Sequence, residues 1–437
     1  MDYGSLPDLA AVALLICAFA SVAKHHEHPG SGLWLSGWSV IALHFAATIF
    51  TGLPGILGLL FNWICAAALT WAAVLFMSAM VPYRHEPTRL WMSTSMLVAS
   101  TLYLALLIFL PSSPLLGPAT FLFGVPPLAI ALSTLPRFQS SLRWTVVSMQ
   151  SILTVFLLFT QHRPDGIDLA INAILFTYYL NCTLHFCLFN KKLTTGTFVT
   201  IAGFFSWAMV FVLGPLQHAY FPSLHIESEV WNLPKYVVAA SMILLMLERQ
   251  IDYNKYLALH DELTGLPNRR LFQDRLNNAI ERSRRCQQQM AMLLIDLDYF
   301  KQVNDTMGHH MGDLLLRHVG EVFLGRLRRS DTLARTGGDE FSILLEENIS
   351  LDGAQQVSDA LRQLLAQPIL LDGQIVRSGA SIGIAMYPED ARTGEDLCIL
   401  ADRKMYDSKR QTHLLREQSE SAGNVLNPGP TATAFDR

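Results

Sequence analysis

Two regimes of apolar patterning divide the chain. An apolar run of about 20 residues is long enough to cross a bilayer as a helix. Nine such runs fall at 8–23, 33–51, 56–81, 90–111, 115–135, 143–161, 167–189, 196–215 and 234–248. The third is long and the ninth short, so eight or ten crossings also fit. Leu244, Leu247, Ile251, Asn254 and Ala258 recur at three–four spacing, which continues the last helix over 244–262 as a coiled-coil stalk or an amphipathic connector. Beyond it the runs shorten. Helices are expected at 270–286, 311–327, 353–366 and 395–410. Strands are expected at Met290–Ile295, Thr332–Arg335, Phe341–Leu345, Gln374–Arg377 and Ala380–Met386. Gly337-Gly338 predicts a hairpin turn between two of them. The mixture predicts a central sheet with helices packed on it. The tail, 417–437, is rich in Ser, Gly, Pro and Ala, shows no periodicity and predicts disorder.

Charge sharpens the division. Residues 1–250 hold only ten of the 32 Lys and Arg and nine of the 36 Asp and Glu. The formal net charge of −4 offers no basic face for nucleic acid. Lys24, then Arg84 and Arg89, then Arg137 and Arg143, then Lys191 and Lys192 occupy loops one, three, five and seven between the apolar runs. Positive charge stays on the cytoplasmic side, so the N-terminus is expected outside and everything after residue 249 inside. An odd number of spans gives the same answer. Lys24 follows the first run instead of preceding it, so that run reads as a retained helix and not as a cleaved signal. None of the six cysteines forms a CxxC pair, and buried small hydrophobes account for them.

Four carboxylates stand where chemistry is possible. Asp296 ends a strand of core residues and Asp298 follows, read as placing one carboxylate on each side of the strand end. Asp339 and Glu340 sit at the expected hairpin tip. Hard oxygen ligands gathered there suit Mg²⁺, which binds few carboxylates and keeps sites for substrate phosphates. A solvated acidic turn is the alternative on spacing alone.

The residues around them carry a family likeness. Gly337-Gly338-Asp339-Glu340-Phe341 is preceded by Asp296-Leu297-Asp298-Tyr299-Phe300-Lys301-Gln302-Val303-Asn304-Asp305 and by Gly308-His309 and Gly312-Asp313. Asp261-Glu262-Leu263-Thr264-Gly265-Leu266-Pro267-Asn268-Arg269-Arg270 opens the region, and Ser381-Ile382-Gly383-Ile384-Ala385 and Ala401-Asp402-Arg403-Lys404-Met405-Tyr406 close it. Over 260–412 the chain resembles the GGDEF diguanylate cyclases. The resemblance implies an α/β domain of the nucleotide-cyclase palm type with a mostly antiparallel central sheet. Placed after the helical region 1–249, it gives a multi-span helical membrane domain followed by a GGDEF domain. It implies two GTP joined into cyclic di-GMP, with Mg²⁺, or Mn²⁺ as the alternative ion.

By the same resemblance, Asp296, Asp339, Glu340 and the Leu297 carbonyl would hold metal. Glu340 would alternatively help deprotonate the attacking 3′-hydroxyl. Asn304 and Asp313 would select guanine, whose N1–H and N2–H₂ a carboxylate accepts together. The Tyr299 and Phe300 amides, with Lys301, would cradle phosphates, and Lys409 would bind phosphate from the last helix. His413 departs from the pattern, standing where the family has an Arg; Arg410 is a candidate substitute. Arg328 and Asp331 match an inhibitory site for the product. The implied setting is a homodimer in the bacterial inner membrane. No EAL-type or HD-type hydrolase segment is expected after residue 412.

No sensory family is recognised in residues 1–250. His44 and His185 lie inside apolar runs, with Cys182 three residues before His185, and helix–helix hydrogen bonds are the simplest use for them. His218, His225, Glu227 and Glu229 share a loop that would be solvated or bind a cation. Two other functions fit the whole: a membrane receptor that binds cyclic di-GMP or GTP without catalysis, and a transporter with a regulatory tail.

Overall fold

The computed structural model describes residues 3–24, 30–80, 86–134, 140–190 and 192–425, in two compact units that meet at Ile251. In the first unit the apolar runs form nine helices among the described residues: α1 (Leu6–Lys24), α2 (Ser31–Thr48), α3 (Ile56–Met80), α4 (Glu86–Phe109), α5 (Leu116–Thr134), α6 (Ser140–Thr160), α7 (Gly166–Phe189), α8 (Thr195–Tyr220) and α9 (Ser228–Leu259). The ninth run, short in sequence, belongs to a 32-residue helix that continues into the second unit. Four stretches among the described residues are long and apolar enough to cross a membrane: Ile56–Met80, Gly166–Leu188, Thr195–Tyr220 and Glu229–Leu259.

Aromatic side chains fill the interior of this unit. Trp38 of α2, Phe76 of α3, Tyr179 of α7 and Trp207 of α8 are all at most 1% exposed. Gly37 lets α2 and α3 approach closely: a Cβ there would lie 2.5 Å from the Phe76 ring. The face away from this interior is apolar too, with Leu14, Leu102, Leu122, Ile152 and Val155 more than 60% exposed.

Buried polar groups tie α9 to its neighbours at two levels. Near its start, Asn232 Nδ2 donates to Asp8 Oδ2 of α1 at 2.6 Å, Tyr236 donates to the other Asp8 oxygen, and Lys235 Nζ donates to Asn232 Oδ1 at 2.6 Å. Lys235 also lies over the Phe45 ring, 4.7 Å from its centroid. Four turns on, the Glu248 carboxylate accepts from Thr194 Oγ1 (2.6 Å) and the Gly196 N–H (3.0 Å), which caps the start of α8. Arg249 donates to Asn190 Oδ1, just past α7.

In the second unit, residues of alternating facing build a sheet buried on both sides. The elements are α10 (Arg269–Cys286), β1 (Met290–Asp298), α11 (Phe300–Met307), α12 (His309–Leu324), β2 (Thr332–Arg335), β3 (Glu340–Leu345), α13 (Leu351–Ala366), β4 (Ile369–Leu371), β5 (Gln374–Val376), β6 (Gly379–Tyr387) and α14 (Gly394–Val425). The main sheet has order β2-β3-β1-β6, antiparallel at every pairing; β4 and β5 form a separate hairpin. Leu293, Ile295 and Leu297 of β1 pack with α12 and α13. Met290 and Met292 pack with Phe272 and Leu276 of α10 and Leu397 and Ala401 of α14. The central strand is thus a continuous apolar run, as burial on both faces demands.

Three sequence expectations change here. Residues 300–307, left unassigned, form α11, which only its tertiary setting makes stable at eight residues. Ile369–Leu371, also unassigned, pairs with β5. The helix α14 continues past Glu417, where disorder was expected, because extending an existing helix costs little per residue. Residues 426–437 lie outside the described residues.

Candidate active site

The strand end and the hairpin tip meet as the spacing anticipated. Asp296 of β1 pairs directly with Glu340 of β3, and the Leu297 N–H donates to the Asp339 carbonyl at 3.2 Å. Asp296 is 7% exposed, while Asp339 and Glu340 are half-buried. Like charges directly opposite each other in a ladder repel. Burial first, then the Asp296 charge, pushes the Asp339 carboxyl above its usual range, and burial, Asp296, Asp339 and Asp402 do the same to Glu340. Such crowding of carboxylates fits a cation-binding role. Among the described residues no three His, Cys, Asp or Glu side chains converge into a metal cage. Few carboxylates with open positions between them could hold a hard divalent cation whose shell is completed by phosphate and water oxygens.

The two aspartates of β1 share one face, contrary to the expectation of one on each side. Residues i and i+2 of a strand point the same way. Ser381, paired with Asp296 in the ladder, donates to Asp298 Oδ1 at 2.7 Å, and Gly379 is close enough that a Cβ would lie 2.9 Å from Asp298 Oδ2. That face looks onto α14, from which Lys409 Nζ donates to Asp296 Oδ1 at 2.7 Å. Burial alone would lower the Lys409 pKa; the bond to Asp296, with the charges of Asp339 and Asp298, raises it.

The glycines of the tip have separate uses. A Cβ on Gly337 would meet Glu340 Oε2 at 2.5 Å, so this glycine makes room for the glutamate of its own hairpin. A Cβ built on Gly338 would meet nothing within 4 Å, so that side of the turn is open to a ligand.

Beside the carboxylates, Tyr299 takes a left-handed conformation (φ 64°) that turns the chain from β1 into α11. Phe300 and Lys301 then occupy the first turn of α11, where backbone N–H groups have no helical acceptor. Asn304 sits on α11 with its Oδ1 buried and without a hydrogen-bond partner, against Gly312 of α12, whose Cβ would fall 2.0 Å away. Asp313 is exposed on the next residue of α12. Farther off, Arg328 is exposed, and Asp331 is pinned by its own turn, accepting from the Arg328 N–H at 2.9 Å. The His413 side chain lies outside the described residues.

Arg335, which carries no role in the sequence reading, makes four side-chain hydrogen bonds in the site. Its NH1 donates to both Asp261 oxygens (2.9 and 3.1 Å), and its Nε and NH2 donate to the Gly338 carbonyl (3.2 and 2.7 Å). Asp261 also accepts from the Thr264 N–H and hydroxyl. Gly265, at φ 69°, closes this turn just past α9. Partial burial would raise the Asp261 pKa; the bonds from Thr264 and Arg335 hold it below the usual range. The signal was available: Asp-x-x-Thr is a turn-forming spacing, and an Arg before paired glycines has two open carbonyl acceptors within reach.

In the first unit, each polar residue singled out in the apolar runs meets a backbone carbonyl. His44 pairs with the Cys65 carbonyl (3.2 Å), His185 with that of Asn181 (2.8 Å), and Cys182 with that of Ala73 (3.4 Å).

Residues 258–413 match the family model described as diguanylate cyclase, GGDEF domain. The bifunctional diguanylate cyclase/cyclic di-GMP phosphodiesterase MucR of Pseudomonas aeruginosa is 48% identical over 155 residues, covering 36% of this chain and 22% of MucR. The diguanylate cyclase TpbB of the same organism is 43% identical over 164 residues, covering 37% of this chain and 38% of TpbB. The chain thus spans well under half the length of these curated relatives. A solved structure of TpbB comprising only the GGDEF domain is 44% identical, covers 35% of this chain and 89% of that chain, and has a TM-score of 0.34. Residues 258–413 of this chain are a GGDEF domain of the diguanylate cyclase family.

Proposed function

We propose that the chain is a membrane-embedded diguanylate cyclase, which condenses two GTP into cyclic di-GMP and two pyrophosphates under control of its helical N-terminal unit. The observation that carries the reading is the register that sets Asp296 opposite Glu340 with Asp339 beside it, close enough that their charges repel one another. Asp296, Asp339, Glu340 and the Leu297 carbonyl would hold Mg²⁺ or Mn²⁺. The metal would neutralise the triphosphate and polarise the α-phosphoryl. The first-turn amides of α11 and Lys301 bind phosphate oxygens, as free N–H groups at a helix start do. The unpartnered Asn304 Oδ1 and the exposed Asp313 carboxylate accept from the guanine edge, and adenine would leave them unsatisfied. Glu340 would serve either as a further metal ligand or as the group that helps take the 3′-hydroxyl proton. Arg328, with Asp331, binds product as an inhibitor, through a guanidinium fork suited to phosphate and guanine edges.

The outward apolar face of the first unit supports immersion in lipid. The bonds of Asp8 to Asn232 and Tyr236 set the starts of α1 and α9 side by side, so the two helices enter the bundle from the same end. This is what an odd number of crossings requires, and it accords with an N-terminus outside and a cytoplasmic GGDEF domain. Leu247 and Ile251 are 43% and 52% exposed on α9, a stripe free to pair with a second copy. The fragment 250–437, given GTP and Mg²⁺, should form cyclic di-GMP; failure to do so at any protein concentration would sink the cyclase reading and leave a receptor.

A further inference from the structure

We propose that Lys409 gates the metal site: its ammonium occupies the Asp296 carboxylate until a nucleotide triphosphate draws the lysine away, so metal is taken up with nucleotide and not ahead of it. The inference rests on the cyclase reading and deepens it. Lys409 Nζ lies 2.7 Å from Asp296 Oδ1. Asp296 is fixed, 7% exposed and held in the ladder between Glu340 and Ser381. Lys409 is the more exposed partner, its side chain about a third exposed (35%) on α14. An ammonium only donates, and it repels any cation brought to the same carboxylate. The protein offers that cation few other ligands, since no three ligating side chains converge among the described residues. A bound triphosphate changes both terms. Its oxygens complete the metal shell, and its charge gives Lys409 a stronger partner than one aspartate.

The two consequences have opposite signs, which a merely structural lysine would not produce. Removing the charge should tighten metal binding to the nucleotide-free protein and weaken binding of nucleotide. The test uses the full chain in detergent micelles, with Mn²⁺ alone titrated by electron paramagnetic resonance and a non-hydrolysable GTP analogue titrated by calorimetry. Lys409→Gln should bind Mn²⁺ about tenfold tighter than wild type, the scale expected for one half-screened charge, and bind the analogue more weakly. Lys409→Arg, which keeps the charge, should match wild type for Mn²⁺ and confirms that the helix tolerates substitution. Asp296→Asn should abolish the tight Mn²⁺ site in either background. Mn²⁺ affinity unchanged or weakened in Lys409→Gln overturns the gate, even if the wild type makes cyclic di-GMP. A wild type that binds no Mn²⁺ even with the analogue overturns the gate and the cyclase reading together.

Discussion

Replacing Arg335 by alanine should loosen the hairpin tip at a cost that the geometry bounds. The guanidinium makes two bonds to Asp261 and two to the Gly338 carbonyl, and the ion pair is mostly buried, with 12% and 24% of the two side chains exposed. Breaking a buried pair costs about 3–5 kcal/mol. Asp261 keeps its two bonds from Thr264 and some contact with water, so about 2 kcal/mol is the better figure. For a unit of this size each kcal/mol moves the melting temperature by about 2–4 °C, so a fall of about 4–8 °C is expected. Lysine has no fork to serve both acceptors and should recover only part of the loss. The assay is thermal melting of the 252–437 unit, run as a double-mutant cycle with Asp261→Asn. Coupling of about 1 kcal/mol or more is expected. The sign with pH follows from the lowered Asp261 pKa. A carboxylate held below its unfolded value lends stability above the unfolded pKa and loses it as pH falls through the folded one. The gap between wild type and Arg335→Ala should therefore narrow in acid. Additive effects in the cycle, or a gap that widens in acid, would refute the reasoning.

Asp339→Asn and Glu340→Gln should each abolish cyclic di-GMP formation, yet leave melting near neutral pH unchanged or raised, because each removes a carboxylate whose ionised form is disfavoured in the fold. A marked fall in melting temperature would contradict the repulsion. Asp313→Ser should narrow the preference for GTP over ATP, measured as the ratio of kcat/KM values; equal preference in wild type would remove the guanine assignment. Arg328→Ala should preserve the initial rate and abolish the later slowing of a progress curve, and a curve that bends as the parent's does would make Arg328 an ordinary surface residue. One residue inserted after Ile251 should alter activity of the full chain more than Asn254→Ala, since insertion turns everything beyond it by about 100°; the reverse order would argue against a register-sensitive stalk.

The parts of the second unit that were legible are those in which one stretch of sequence decides. Met290–Ile295 could only be a buried strand, and paired glycines between two short β-rich runs could only turn. Residues 300–307 were not legible, because eight residues carry too little periodicity and the helix exists through Val303 and Phe300 packing on the core. The error at Asp298 was one of strand geometry, since a period of two already places it with Asp296. Lys409 was legible as a cation near phosphate. Its bond to Asp296 was not, because the two lie 113 residues apart and meet only when α14 crosses the face of β1.

The first unit shows the same limit more sharply. Apolar run lengths locate the first seven helices to within a few residues, because lipid-scale hydrophobicity is a local property, whereas α8 and α9 extend well past their runs. The polar contacts that couple those helices are not local. Lys235 reads in sequence as a charge at the edge of the ninth run, and nothing near it names a partner. Asp8, more than 220 residues away, supplies the negative charge through Asn232. The orientation of that amide is forced, since an ammonium can only donate and a carboxylate only accept. Asn232 therefore turns its oxygen to Lys235 and its nitrogen to Asp8, and both Asp8 oxygens are occupied as acceptors. Polar partners this far apart in sequence are set by how the helices pack, which no local pattern of polarity reports.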